Sequence, residues 1–157
     1  MKDISYIMML TLFLAAGCGK GTSMLKDTTH QRFVVGQQWR YTTRPQEPNS
    51  TLTILKIETH PKLDTIVHIA VSDVVIPSPG SDTPRESIGH MPIDASILES
   101  SVTQLAQQSV PLPDFAEGYQ VWREAFDQGK AGVFSRPVSE CVGFMEETLN
   151  QGTKQNN

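Results

Sequence analysis

The hydrophobic period of this chain changes once, and that change narrows the folds open to it. From Phe33 to Ile76 the apolar residues alternate, the period of a strand. In FVVGQQWRYTT the alternation puts Val35, Trp39 and Tyr41 on one face. RPQEPNS, with two prolines and Asn49-Ser50, breaks the run as a turn. TLTILKIET is rich in β-formers and is closed by His60-Pro61-Lys62. LDTIVHIAVSDVVI then sets Val67, Ile69 and Val71 against Ile66, His68 and Ala70. Short connections make these strands an antiparallel meander, because a parallel pair needs a longer crossover. Pro77–Pro92 (PSPGSDTPRESIGHMP) reads as a long, mobile surface loop pinned at its far end by Ile88 and Met91.

From Asp94 the spacing is helical. Asp94 caps a segment carrying Leu98, Val102 and Leu105, and Pro111-Leu112-Pro113 stops it. Asp114-x-x-Glu117 has the form of a capping box, and Phe115, Tyr119, Trp122 and Phe126 follow as an aromatic stripe ended by Gly129. AGVFS is a candidate short strand. After Pro137, Val138, Val142, Met145 and Leu149 line a third helix. The expectation is an α+β fold: an antiparallel sheet of three to four strands (about 33–76), then three packed helices (about 94–109, 114–128 and 137–150).

The N-terminus addresses a different question. Lys2 precedes an unbroken apolar run, Ile4–Ala16. As a helix this run covers roughly 20 Å, short of the ~30 Å hydrocarbon core. Leu14-Ala15-Ala16-Gly17-Cys18 resembles the lipobox of bacterial lipoproteins, in which the cysteine thiol receives a diacylglyceryl group. That resemblance implies a signal peptide at 1–17, Cys18 as the lipid attachment residue, and a membrane anchor on the extracytoplasmic side. With Gly19 rather than Asp after the cysteine, it implies the outer membrane, facing the periplasm, in a two-membrane bacterium. Ala15-Ala16-Gly17 also satisfies the small-x-small rule of ordinary secretion, which would leave Cys18 an unmodified thiol. Residues 18–30 are small and polar and read as a flexible tether, 31–150 as a single α+β domain, and 151–157 as a disordered tail. Roughly 140 residues after the signal suit one core and not two. If Cys18 is acylated, Cys141, the second of two cysteines, has no partner for an internal disulfide.

The mature part resembles a small bacterial domain family of uncharacterised proteins. The segments that carry the likeness are Val35–Glu58, Pro61–Val71, Gly89–Pro92 and Pro113–Phe134, reaching most of residues 34–150. It implies one intact domain and no particular activity. The family pattern has Gly where this chain has Asp64, and a lipidated signal is not general to it.

No contiguous motif for chemistry is present. There is no Walker loop, nucleophile elbow or dinucleotide fingerprint. The four histidines, His30, His60, His68 and His90, lack metal-ligand spacing, and His90-Met91 supplies too few ligands for copper. His68 reads as a strand histidine, either with a satisfied hydrogen bond or at an exposed edge. Cys141 reads as a small hydrophobe beside the last apolar stripe. The net charge of −4 and the lack of a basic patch argue against nucleic acid. No metal or cofactor is expected. Trp39, Arg40, Tyr41 and Arg44 are the candidate partner contacts, being of hot-spot types, although Trp39 alternates in phase with Val35 as a core residue would. The expected function is a lipid-anchored, non-enzymatic binding module for a protein partner, with a toxin-neutralising immunity lipoprotein as one version. The alternatives are a structural envelope lipoprotein and an envelope enzyme assembling His68, His90, Glu140 or Arg123 in space.

Overall fold

The computed structural model describes residues 23–78 and 81–154. Cys18 and the signal segment lie outside the described residues. The elements run β1 (Lys26–Asp27), β2 (Gln38–Tyr41), β3 (Thr51–His60), β4 (Asp64–Ile76), β5 (Arg85–Asp94), α1 (Ala95–Ser101), β6 (Val102–Gln107), α2 (Ala116–Asp127) and α3 (Val138–Lys154). The class is α+β with an antiparallel sheet and three helices. The sheet order is β5-β4-β3-β2-β6, and β1 pairs with β3 beyond the end of β2. Among the described residues no helix is long and apolar enough to cross a membrane.

The meander expected between Phe33 and Ile76 is β2, β3 and β4. Val35 is not part of it. It is 46% exposed, because Gly36 (φ 90°) turns the chain just before β2 begins. The β3–β4 turn ends on Asp64 at φ 58°, in the left-handed region, which gives a physical reason for a glycine at that position.

The sheet has six strands rather than three or four, and each addition has a cause. Residues 85–94, expected within a long loop, form β5, pairing Met91 with Ile69 and Ile93 with Val67. Ile88, Met91 and Ile93 are buried there. Pro92 is tolerated because β5 is an edge strand. Phe134 covers that edge: its N–H donates to Pro92 O and its carbonyl accepts from Asp94 N. Residues 94–109 are not one helix. Asp94 does cap α1, accepting from Ser96 N at 2.8 Å, but the helix stops at Ser101. Val102–Gln107 then pairs with β2, Tyr41 facing Val102 and Trp39 facing Leu105. An open strand edge outweighs modest helix propensity. The segment 18–30 is not tether throughout: Leu25 is 6% exposed and Lys26 pairs with Thr59, because the free edge of β3 takes up the passing backbone. At the other end α3 carries on to Lys154, beyond the expected limit at 150, with no proline to stop it.

The alternation along β4 separates two buried layers. Val67, Ile69 and Val71 face the main core with Leu52, Ile54, Met91 and Ile93, closed by Leu98 of α1 and by Val138, Cys141 and Val142 of α3. Ile66 faces the other way, against Leu25 and Trp122, with Tyr119, Phe126, Ala131 and Val133 around them. Trp122 also donates its indole N–H to Gly132 O at 2.9 Å. The expected capping box of α2 is half formed. Asp114 accepts from Ala116 N, but Phe115 sits at the cap position without a side-chain bond.

Candidate functional site

The α2 face of the sheet carries a chain of ionisable groups whose positions follow from register. Lys56, His68 and Pro92 lie side by side on β3, β4 and β5, and Glu58 faces Ile66. Glu58 and His90 are each two residues along from those partners. They are therefore the diagonal neighbours of His68 on its own face, within reach of long side chains. His68 Nε2 lies 3.1 Å from Glu58 Oε2, and His68 Nδ1 lies 2.9 Å from His90 Nε2. The two imidazoles stack with centroids 5.2 Å apart. His68 is 0% exposed and Glu58 2%.

Helix α2 covers this chain. Tyr119 donates its hydroxyl to Glu58, 2.9 and 3.0 Å from the two carboxylate oxygens. Arg123 donates to Tyr119 Oη and stands 3.5 Å from Glu58 Oε1. Lys56 Nζ is 3.6 Å from the same oxygen and also pairs with Asp27 of β1. Trp122 and Tyr119 meet the His68 ring edge to face. A buried carboxylate is costly unless its lone pairs are used. Here a histidine, a phenol and two cations serve it, and among the described residues no buried side-chain nitrogen or oxygen lacks a partner.

Burial alone would raise the Glu58 pKa, but the hydrogen bonds from His68 and Tyr119 outweigh it and hold the carboxyl below its ordinary value. Tyr119 is pushed up by burial and by the carboxylate it serves. His90 is lowered to about 4, by burial first and then by His68 beside it. The ionised carboxylate sets the tautomer of both imidazoles. It accepts the Nε2 hydrogen of His68. In the state in which His68 donates from Nε2 alone, its Nδ1 is the acceptor, His90 donates from Nε2, and His90 keeps a lone pair on Nδ1.

His90 lines a cleft of about 570 Å³ between β5 and α2. Ile88, Pro92, Phe115, Val121, Trp122 and Met145 supply apolar walls, and the exposed Arg85, Asp114 and Glu117 supply charge. Gly118 lets the helix close on the strand: a Cβ there would sit 3.0 Å from His90 Cβ. His90 Nδ1 has no hydrogen-bond partner among the described residues, and no buried side-chain nitrogen or oxygen among them is left unpaired, so this atom is not fully buried. The three side chains bond to one another instead of converging on a point, and no group of three metal-ligating residues is found among the described residues. The arrangement can accept a hydrogen bond or a proton at one accessible nitrogen.

The candidate partner contacts do not form a surface. Trp39 is 8% and Tyr41 4% exposed, because alternation along β2 turns both into the main core. The Trp39 indole donates to Gln37 Oε1, and the Tyr41 hydroxyl shares a 2.8 Å bond with Ser50, its pKa raised by burial to about 12. Arg44 forks onto the buried Glu47 at 2.7 and 2.9 Å and reaches Glu146 at 2.6 Å. Only Arg40 of the four is exposed.

Of the four residues weighed for a spatial enzyme site, His68, His90 and Arg123 come together, although His90 alone lines the cleft. Glu140 is elsewhere, beside Arg136 on α3. His30 and His60 accept backbone N–H groups in turns. Cys141 is 1% exposed with its thiol pushed up to about 11 by burial, as suits a packing residue. Sequence reasoning missed Glu58 and the polar role of Tyr119. The available signal was an acidic residue at the end of an apolar strand, adjoining a strand that carries an inward histidine. Comparison with protein-family models, curated proteins and solved structures finds no match for this chain, so the likeness noted for residues 34–150 rests on its own segments.

Proposed function

We propose that this chain is a lipid-anchored cell-envelope protein, held on the extracytoplasmic side through acylated Cys18. Its folded part is a binding module that takes a small ligand, with an apolar body and a hydrogen-bond-donating tip, in the cleft at His90. One observation carries the binding reading: the buried Glu58–His68 pair is continued by His90, which lines an apolar cleft. Replacing a buried ionic network by apolar residues of similar volume is often neutral or stabilising, which favours a site over a purely stabilising role for this one. The cleft volume is in the range of small-molecule sites. Capture of a protein partner through Trp39–Arg44 gains no support, since only Arg40 is available there. An envelope enzyme with His90 as general base is a second reading, favoured by the meeting of His68, His90 and Arg123.

Two measurements test the proposal. Cys18→Ser should abolish fatty-acid labelling and release the protein from the membrane fraction, because a multiply acylated cysteine holds firmly. Retention of the variant in the membrane without label would mean another anchor. For the cleft, 1-naphthol should quench Trp122 in the detergent-solubilised full chain. Val121→Glu should block this without moving the urea midpoint, since Val121 is 65% exposed. Quenching that persists in Val121→Glu, or is absent from the wild type, would remove the cleft as the binding site.

A further inference from the structure

We propose that Glu58, His68 and His90 form a proton-accepting relay that deprotonates a weakly acidic O–H group on the ligand held in the cleft and keeps the proton on His68, away from the ligand. This rests on the cleft reading above and adds the ligand's chemical class, a phenol or similar weak acid on an apolar body.

The geometry dictates the path. At rest the carboxylate of Glu58 accepts the Nε2 hydrogen of His68, and His68 Nδ1 accepts the Nε2 hydrogen of His90. The ligand O–H bond breaks and its proton bonds to His90 Nδ1. The Nε2–H bond of His90 breaks as that proton moves across the 2.9 Å contact to His68 Nδ1. His90 ends neutral, with its hydrogen on Nδ1 facing the ligand oxyanion. His68 ends as an imidazolium against the Glu58 carboxylate. One positive and one negative charge are created, and no outside oxidant, reductant or co-reactant is needed.

The environment separates the two histidines. His68 touches a carboxylate; His90 touches none and is half-buried, so the charge belongs on His68. The lowering of His90 by burial and by His68 agrees with this. Other charged or titratable groups face the pair from each packed element: Lys56 from β3, and Tyr119 and Arg123 from α2. On the ligand side stand Arg85, Asp114 and Glu117, and among the described residues Arg85 is the arginine or lysine of the cleft, able to attract the oxyanion. Tyr119 holds Glu58 in place from α2. Glu58, His68 and Tyr119 are thus positioning residues, and His90 is the group that meets the ligand.

Para-nitrophenol, whose phenolate absorbs in the visible, tests the relay in the solubilised full chain. Below the probe's own ionisation midpoint in the same detergent, the bound probe should carry about tenfold more phenolate than the free probe. His90→Gln, which keeps an N–H toward His68 but has no base, should bind the neutral phenol. His68→Gln should also lose the phenolate band although His90 remains. Imidazole nitrogen NMR of the wild type, without any probe, should show His90 protonated on Nε2 alone, and the first proton taken up on acidification should appear on His68. A bound but neutral probe, a phenolate band that survives His68→Gln, or a first proton on His90 would overturn the relay and leave the cleft reading standing. Failure of the probe to bind, by equilibrium dialysis, would overturn the weak-acid ligand and the cleft reading with it.

Discussion

The two faces of the sheet are built from the same strands and follow different rules. On the α1 and α3 side, Leu52, Ile54, Val67, Ile69, Met91 and Ile93 form a continuous apolar layer, each 0% exposed. On the α2 side the apolar part is small, Leu25, Ile66 and Trp122 with their partly buried neighbours, and the space between is filled by Glu58, His68, His90, Tyr119 and Arg123. The first face costs little to bury and stabilises the fold through area removed from water. The second buries groups whose desolvation must be met by specific partners. Burial by itself therefore does not separate structure from site. His68 and Ile69 are adjacent and both fully buried, yet Ile69 is packing and His68 is part of a polar chain that ends at a cleft.

Substitutions on the two faces should expose this difference. The largest effect is expected at Trp122, which joins α2 to the polar face: Trp122→Ala should cost about 4 kcal/mol in urea melts, and Ile69→Ala on the other face about 3 kcal/mol. Only the first should also abolish para-nitrophenol binding. An unchanged midpoint in Trp122→Ala would mean that α2 is not held by its aromatic stripe.

Acid should distinguish the faces next. The unfolded chain protonates His90 as pH falls through about 6.5, whereas the folded chain resists until about 4. Stability from this group is present above pH 6.5 and lost between those values, on the order of 2 kcal/mol after allowing for partial exposure. Glu58 acts with the same sign below its ordinary carboxylate value, since its pKa is lowered in the fold. Urea midpoints at about pH 7 and about pH 4.5 should differ accordingly, less so in His90→Gln, and by the wild-type amount in Ile69→Val, which leaves the polar face intact. A slope unchanged by His90→Gln would move the acid sensitivity elsewhere.

The smallest effect is expected where neither face is involved. Replacing the exposed residues 81–83 by a shorter Gly-Ser link should change stability by less than about 0.5 kcal/mol, because loop-closure entropy varies slowly with length. A larger loss in thermal melts would show that this connection packs on one of the two faces.

Local patterns in the sequence determined the β2–β4 meander, the two-sided burial of β4, the cap at Asp94, the aromatic stripe of α2 and the start of α3. Each depends on residues a few positions apart, which alternation, helical spacing and capping side chains report directly. The signal-like N-terminus is likewise a sequence feature, and it alone motivates the proposal for Cys18. Strands β5 and β6 were decided by tertiary structure. Pro92 is compatible with a strand only at a sheet edge, and Val102–Gln107 extends because β2 had an unpaired side. The site belongs to the same class. Glu58, His68 and His90 lie on three strands, with ten and twenty-two positions separating His68 from its two partners, and they meet only because register makes them diagonal neighbours. Periodicity shows that a residue points inward, but which inward residues touch is decided by pairing across strands, and the Glu58–His68–His90 contacts depend on that pairing.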